Sequence, residues 1–226
     1  VLLGVTGSVA AIKTPLLFEE LKKAHHAVKV VATVASLYFF DPAELDPLGG
    51  RPPRRNPDVV VLDEDEWPGR DAGRRWQRGE PVVHVELRRW ADALVIAPLD
   101  ANTLAKLAGG LADNCLTCVW RAWEPARPVV LAPAMNTLMW QHPVTARHLR
   151  QLAADDGAPA PLDVQANELP DWINARCRRL RLVAPVSRLL ACGDEGVGAL
   201  AAPEEVVAAL SRLLAVNPPP PPSPRE

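Results

Sequence analysis

Short apolar runs recur along this chain, and each is followed by a polar or glycine-bearing break and then a stretch of helical spacing. Residues 1–6 form the first run, Gly7 and Ser8 break it, and residues 9–24 then carry apolar side chains every three or four positions. Further runs lie at 27–33, 93–97 and 128–132, with a shorter one at 59–62. They are β-branched and apolar on both alternations, as strands buried on both faces must be. Helical spacing returns at 104–110, 113–122, 144–154 and 204–214, the last opened by Pro203. Pro133 stops the run at 128–132, and Met135 and Met139 follow it at i,i+4. Strand, turn and helix repeated in this way predict an α/β domain with a parallel sheet.

Three stretches do not fit the alternation. Residues 41–81 are rich in Pro, Gly and Arg, and an insertion is expected near 46–60. The acids at 63–66 read as a solvated face. Residues 155–186 show no period apart from an apolar–basic stretch at 177–183, and are expected to be a second insertion. One domain over 1–216 therefore carries two insertions, and the proline run at 217–226 reads as an extended, disordered tail.

Candidate chemistry gathers at the carboxyl ends of the runs, where open α/β sheets bind ligands. Gly7 permits close backbone approach, and Ser8 can cap a helix or meet a phosphate, although a full G-x-G-x-x-G is absent. Asp100, Asn102 and Thr103 cluster where a helix begins, a setting suited to anions. Asn136 has an amide that can donate and accept at once, and it is equally a good helix cap beside two methionines. Thr33 ends the second run on the same rim, whereas Phe39 reads first as core. His84 is a lone imidazole, usually structural but able to take a proton near neutral pH. Cys115 and Cys118 lack a second ligand pair, so two buried helical thiols outweigh zinc or redox chemistry. Cys192 sits among Gly193, Gly196 and Gly198, a mobile setting that suits a lid.

Composition narrows the classes. The 226 residues suit one domain, and 48% hydrophobic content supports a sizeable core. A net charge of -2 gives no reason to expect nucleic acid or an anionic membrane as partner. No apolar run nears the ~20 residues that span a bilayer. Four cysteines without a dense pattern suit a reducing compartment, the cytoplasm. The chain starts without Met inside a strand, so the lack of a targeting segment says little.

Five segments taken together carry a family resemblance: GVTGSVAA at 4–11, HVELRRWAD at 84–92, APLDANTLAK at 97–106, PAMNTLMW at 133–140 and CGDEGVGA at 192–199. Over residues 1–214 the chain resembles the phosphopantothenoylcysteine decarboxylases, flavin-containing cysteine decarboxylases of the stand-alone eukaryotic type. The resemblance implies a Rossmann-like (flavodoxin-like) three-layer sandwich and a homotrimer with its active site between subunits. It implies FMN-dependent conversion of 4'-phosphopantothenoylcysteine to 4'-phosphopantetheine in coenzyme A biosynthesis. FMN would be held by Gly7, Ser8, Val9, Thr33, Phe39, Asp100, Ala101, Asn102, Thr103 and Ala134, with Asp100 acting through its backbone N–H. The substrate would meet Asn136, Met139 and Ala191. His84 would be the base of the oxidation stage, and Cys192 the proton donor to the enethiol. Two other readings are a flavoprotein subunit that inhibits a protein phosphatase and a decarboxylase of peptidyl cysteine. Phosphatase-inhibiting relatives carry long acidic tails, whereas this chain ends in proline and keeps His84, Asn136 and Cys192 together.

Overall fold

Leu2 and Leu3 are neighbours in the chain, yet they belong to two different cores. The sheet between those cores organises everything else. A computed structural model describes residues 1–48, 54–189 and 195–217. In chain order, β1 (Leu2–Val5) leads through a 3-10 turn (Val9–Lys13) into α1 (Thr14–Lys23) and β2 (Lys29–Ala32). Two more 3-10 turns, Val34–Tyr38 and Pro42–Glu44, precede β3 (Val60–Leu62), α2 (Asp63–Glu66) and α3 (Val83–Trp90). Then come β4 (Leu94–Leu99), α4 (Ala101–Gly109), α5 (Cys115–Ala122) and β5 (Val129–Pro133). The chain continues through α6 (Thr137–Gln141), α7 (Pro143–Asp155), α8 (Leu169–Arg176) and β6 (Leu180–Leu182). It closes with β7 (Val186–Leu189), β8 (Glu195–Ala199) and α9 (Pro203–Val216).

Six strands pair in parallel in the order β3-β2-β1-β4-β5-β6. On one face Leu3, Val30 and Val95 pack with Leu17 and Leu21 of α1 and Leu210 and Leu213 of α9. On the other, Leu2, Val31, Leu94 and Leu131 pack with Leu87, Leu104, Leu116, Leu149 and Ile173 from α3, α4, α5, α7 and α8. This is a three-layer Rossmann-like sandwich. Burial on both faces explains why the strands read as continuous apolar runs. The chain winds one way from β1 to β2 and the other way from β1 to β4, so a crevice opens between β1 and β4 at their carboxyl ends. Among the described residues no helix is long and apolar enough to cross a membrane.

The structure departs from the sequence reading in three places. The helix expected over 9–24 is a 3-10 turn followed by α1, because Pro15 offers no N–H and its ring would clash with the carbonyl of residue 11. Residues 155–186 are not structureless: α8 buries Leu169 and Ile173, and β6 pairs with β5. Asn174 holds β6 from outside, its Nδ2 donating to the Leu182 carbonyl and its Oδ1 accepting from the Leu182 N–H, both at 2.8 Å. At the opposite edge Arg55 donates to the Val60 carbonyl of β3 at 2.6 Å and pairs with Asp65. The acids at 63–66 are therefore not simply solvated: Asp65 pairs with Arg55, and Glu66 is buried. Residues 49–53 of the expected first insertion and the proline tail beyond Asn217 lie outside the described residues.

Cys118, expected to be buried, is only half-buried, whereas Cys115 and Cys177 are free and buried. Burial pushes both thiols up, helped by Glu66 beside Cys115; the Cys177 thiol, with Asp156 nearby, reaches about 12. Both therefore stay protonated and poorly nucleophilic near neutral pH. Alkylation of the native protein should leave these two unmodified, and urea should expose both, as mapped by peptide mass spectrometry.

Candidate cofactor and substrate site

The Thr6 hydroxyl follows β1 directly and is fully buried. It donates to the Pro98 carbonyl at 2.8 Å and accepts from the Asp100 N–H at 2.7 Å. The ends of β1 and β4 are thereby tied together, and the turns after them are forced into contact. A Cβ on Gly7 would lie 2.6 Å from the Ala35 Cβ and 3.2 Å from Asp100 Oδ2. Glycine is required at this position by close packing as well as by ligand approach.

Two short polar residues then start the following elements. Ser8 caps the 3-10 turn by accepting from the Ala10 N–H at 3.3 Å. Asp100 caps α4, its Oδ1 accepting from the Thr103 N–H at 2.6 Å. These bonds revise one expectation. The Asp100 N–H is already given to Thr6 and the Thr103 N–H to Asp100, so the open donors of the first turn of α4 are the N–H groups of Ala101 and Asn102.

A cavity of about 520 Å³ lies over these turns. Of the residues singled out in the sequence, Gly7, Ser8, Val9, Phe39, Asp100, Ala101, Ala134, Asn136 and Met139 line it. Asn136 caps α6 through Oδ1, which accepts from the Leu138 N–H at 2.9 Å, so it is both a cap and a wall of the cavity. Thr33, Asn102 and Thr103 are not among the lining side chains: Thr33 and Thr103 are buried and Asn102 is exposed. The Thr33 hydroxyl is buried with no hydrogen-bond partner among the described residues.

Sequence reasoning did not single out Ile12, Lys13, Met135, Ala199 or Leu200, all of which line the cavity. A signal existed for Ile12: Val9, Ile12 and Leu16 form an apolar stripe opposite the buried Leu17 and Leu21. None existed for Leu200, which arrives with the β7–β8 hairpin from far along the chain. That hairpin docks by the Met135 N–H donating to the Gly198 carbonyl at 2.9 Å. A Cβ on Gly198 would strike the Met135 carbonyl, and one on Gly196 would strike the Thr137 side chain. These two glycines allow contact; they sit in β8 and do not serve as hinges. Ala191, Cys192 and Gly193 fall by sequence between β7 and β8 and lie outside the described residues.

His84 is elsewhere. It opens α3 on the β3 side of the rim and does not line the cavity. Its N–H donates to Glu66 Oε2 at 3.0 Å, and its Nδ1 meets Glu66 Oε1 at 2.5 Å. From β3 to β5 there are four strand spacings, roughly 19 Å. His84 thus lies outside the cavity that Asn136 walls. A second cavity of about 650 Å³, bounded by Trp67, Arg74, Trp76 and Val83, adjoins Glu66.

The Flavoprotein family model matches residues 1–215. The chain belongs to the Flavoprotein family. Phosphopantothenoylcysteine decarboxylase of Mus musculus is 40% identical over 216 residues, covering 95% of this chain and 86% of that one. The Arabidopsis thaliana enzyme of the same name is 45% identical over 209 residues, covering 90% and 79%. A solved cysteine-to-serine mutant of PPC decarboxylase, complexed with pantothenoylaminoethenethiol, superposes with a TM-score of 0.71 at 41% identity, covering 95% and 97%. The FMN binding protein AtHal3 gives 0.68 at 42%, covering 95% of each. The family suggested by the sequence motifs is the one found.

The Thr6 bridge carries a testable consequence. Thr6→Val keeps the shape and removes both hydroxyl bonds, leaving the Asp100 N–H unpaired and the Pro98 carbonyl with only the Thr6 N–H at 3.3 Å. The expected cost is about 1–3 kcal/mol, read as a lower urea midpoint.

Proposed function

We propose that this protein is an FMN-dependent decarboxylase that converts 4'-phosphopantothenoylcysteine to 4'-phosphopantetheine in coenzyme A biosynthesis, acting as a cytoplasmic homotrimer. The cavity at the β1–β4–β5 rim carries this reading, in a chain about 40% identical to decarboxylases along nearly its whole length. The cavity fits the cofactor on its own terms. Its volume lies in the usual range for such ligands, and Val9, Ile12, Phe39, Met135 and Met139 offer apolar walls to a flat ring. The open N–H groups at the start of α4, with Ser8 beside them, suit a phosphate.

Loss of CO2 from a cysteine carboxylate leaves a carbanion with nowhere to delocalise; bound FMN supplies a reversible two-electron sink. The residues of the chain do the rest. The turns after β1 and β4, with Ser8 and the first turn of α4, would hold the FMN phosphate. Asn136, fixed by Leu138, holds the substrate carboxylate so that it departs in one geometry. Met139 and Phe39 keep water off the reacting carbon. His84 takes a proton at the oxidation stage, and Cys192 returns one to the enethiol. A relative lacking its cysteine was solved with an enethiol bound, which supports that role for Cys192.

Two observations support assembly. Ile12 in the cavity wall is 59% exposed, and Tyr38 and Leu138, each next in the chain to a lining residue, are 88% and 76% exposed, apolar surface that a lone chain leaves in water. His84 also does not line the cavity that Asn136 walls, which supports its supply by a neighbouring subunit. In a closed trimer every such contact is satisfied three times.

The His84→Asn protein should stay yellow with FMN and release CO2 about 10²–10⁴-fold more slowly; unchanged turnover of phosphopantothenoylcysteine would refute the base assignment. Co-assembling inactive His84→Asn with inactive Asn136→Ala subunits should restore activity, since random assortment leaves roughly a quarter of shared sites intact. No restoration would mean that each chain serves its own site.

A further inference from the structure

Glu66 is the buried member of the acidic run at 63–66, with a side chain 0% exposed. Both of its oxygens are turned to one residue: Oε2 accepts the His84 backbone N–H, and Oε1 faces His84 Nδ1. The Cys115 thiol on α5 lies beside the same carboxylate, which helps to push that thiol up. This double hold fixes the start of α3 and the plane of the imidazole together. It also decides where the ring proton sits. A backbone N–H can only donate, so Oε2 is its acceptor, and Oε1 is left to accept from Nδ1–H. The lone pair then belongs to Nε2. His84 is 21% exposed, so the open side of the ring is the one away from the buried carboxylate. A general base needs that lone pair facing outward.

We infer that Glu66 is the positioning residue of the reaction: it holds His84 in the Nδ1–H tautomer, so that Nε2 is the atom that takes the substrate proton. This rests on the reading of His84 as the base. Glu66 touches neither cofactor nor substrate, and it acts through the imidazole alone. The same logic governs a buried carboxylate behind the histidine of a hydrolase triad, where the amide replacement leaves the ring in the wrong tautomer.

Glu66→Gln is the sharp test because it preserves shape and halves the acceptors. Its one amide oxygen stays with the His84 N–H, and its NH2 then faces Nδ1. Nδ1 must accept, the ring proton moves to Nε2, and the base is lost. With FMN bound, kcat should fall about 10²–10⁴-fold while KM for phosphopantothenoylcysteine changes less than about threefold, because the carboxylate holder Asn136 is untouched. The readout independent of turnover is the 15N spectrum of histidine-labelled protein, with the His84 signals assigned by their loss in His84→Asn. The native protein should show Nδ1 protonated and Nε2 bare, and Glu66→Gln should reverse them. A native spectrum with the proton on Nε2 would overturn the inference, even if Glu66→Gln failed to fold. So would a Glu66→Gln protein that kept both the native tautomer and the native kcat. Should the tautomers behave as described while His84→Asn still turned over normally, the base reading would fall, and Glu66 would keep its hold on the ring without a catalytic consequence.

Discussion

The hydroxyl of Thr6 is a small group on which the rim depends. A parallel sheet ends in a row of carbonyls and N–H groups that no further strand completes. At the switch point, where β1 and β4 send their chains to different places, the mismatch is greatest. Thr6, at the end of β1, closes it by donating to Pro98 and accepting from Asp100 at the end of β4. With the two strand ends fused, Gly7 and Asp100 come into contact and Asp100 turns to cap α4 beside the cavity. The shape of the turn follows from a bond inside the sheet.

Five of the six strands were legible in the chain because the sheet is buried on both sides, so β1 to β5 announce themselves as apolar runs. The residues following each strand were legible for the same reason: a strand end is easy to locate, and short polar residues after it stand out. Gly7, Ser8, Asp100 and Asn136 were found in that way. Leu200 and Ala199 were not, because they reach the cavity only through the docking of a hairpin at Met135, a contact without local trace. The stretch 155–186 was opaque because β6 has three residues and owes its extended form to β5 and Asn174, not to its own pattern. Glu66 was hidden by its neighbours: among four consecutive acids nothing in the order of letters marks the one turned inward.

The site is assembled from parts with different tolerances. The walls after β1, β4 and β5 belong to one rigid sheet, and the hairpin is pinned to the Asn136 loop by a backbone bond. Those distances are set when the chain folds. His84 stands on a separate support, with its own buried carboxylate and thiol, at the far side of the rim. The phosphatase-inhibitor reading and the decarboxylase reading would use the same sheet; only the second gives a reason for an imidazole to be held so firmly in one orientation.

The two outermost strands are sealed by side chains: Asn174 occupies the ladder groups of Leu182 on β6, and Arg55 occupies the Val60 carbonyl on β3. An amide and a guanidinium thus stand in for the seventh and eighth strands. Growth of the sheet from chain to chain is blocked at both margins, which guards against fibrillar association. Contact through the sheet margins is thereby closed off, and the apolar side chains beside the cavity are left as the surface a partner copy could cover.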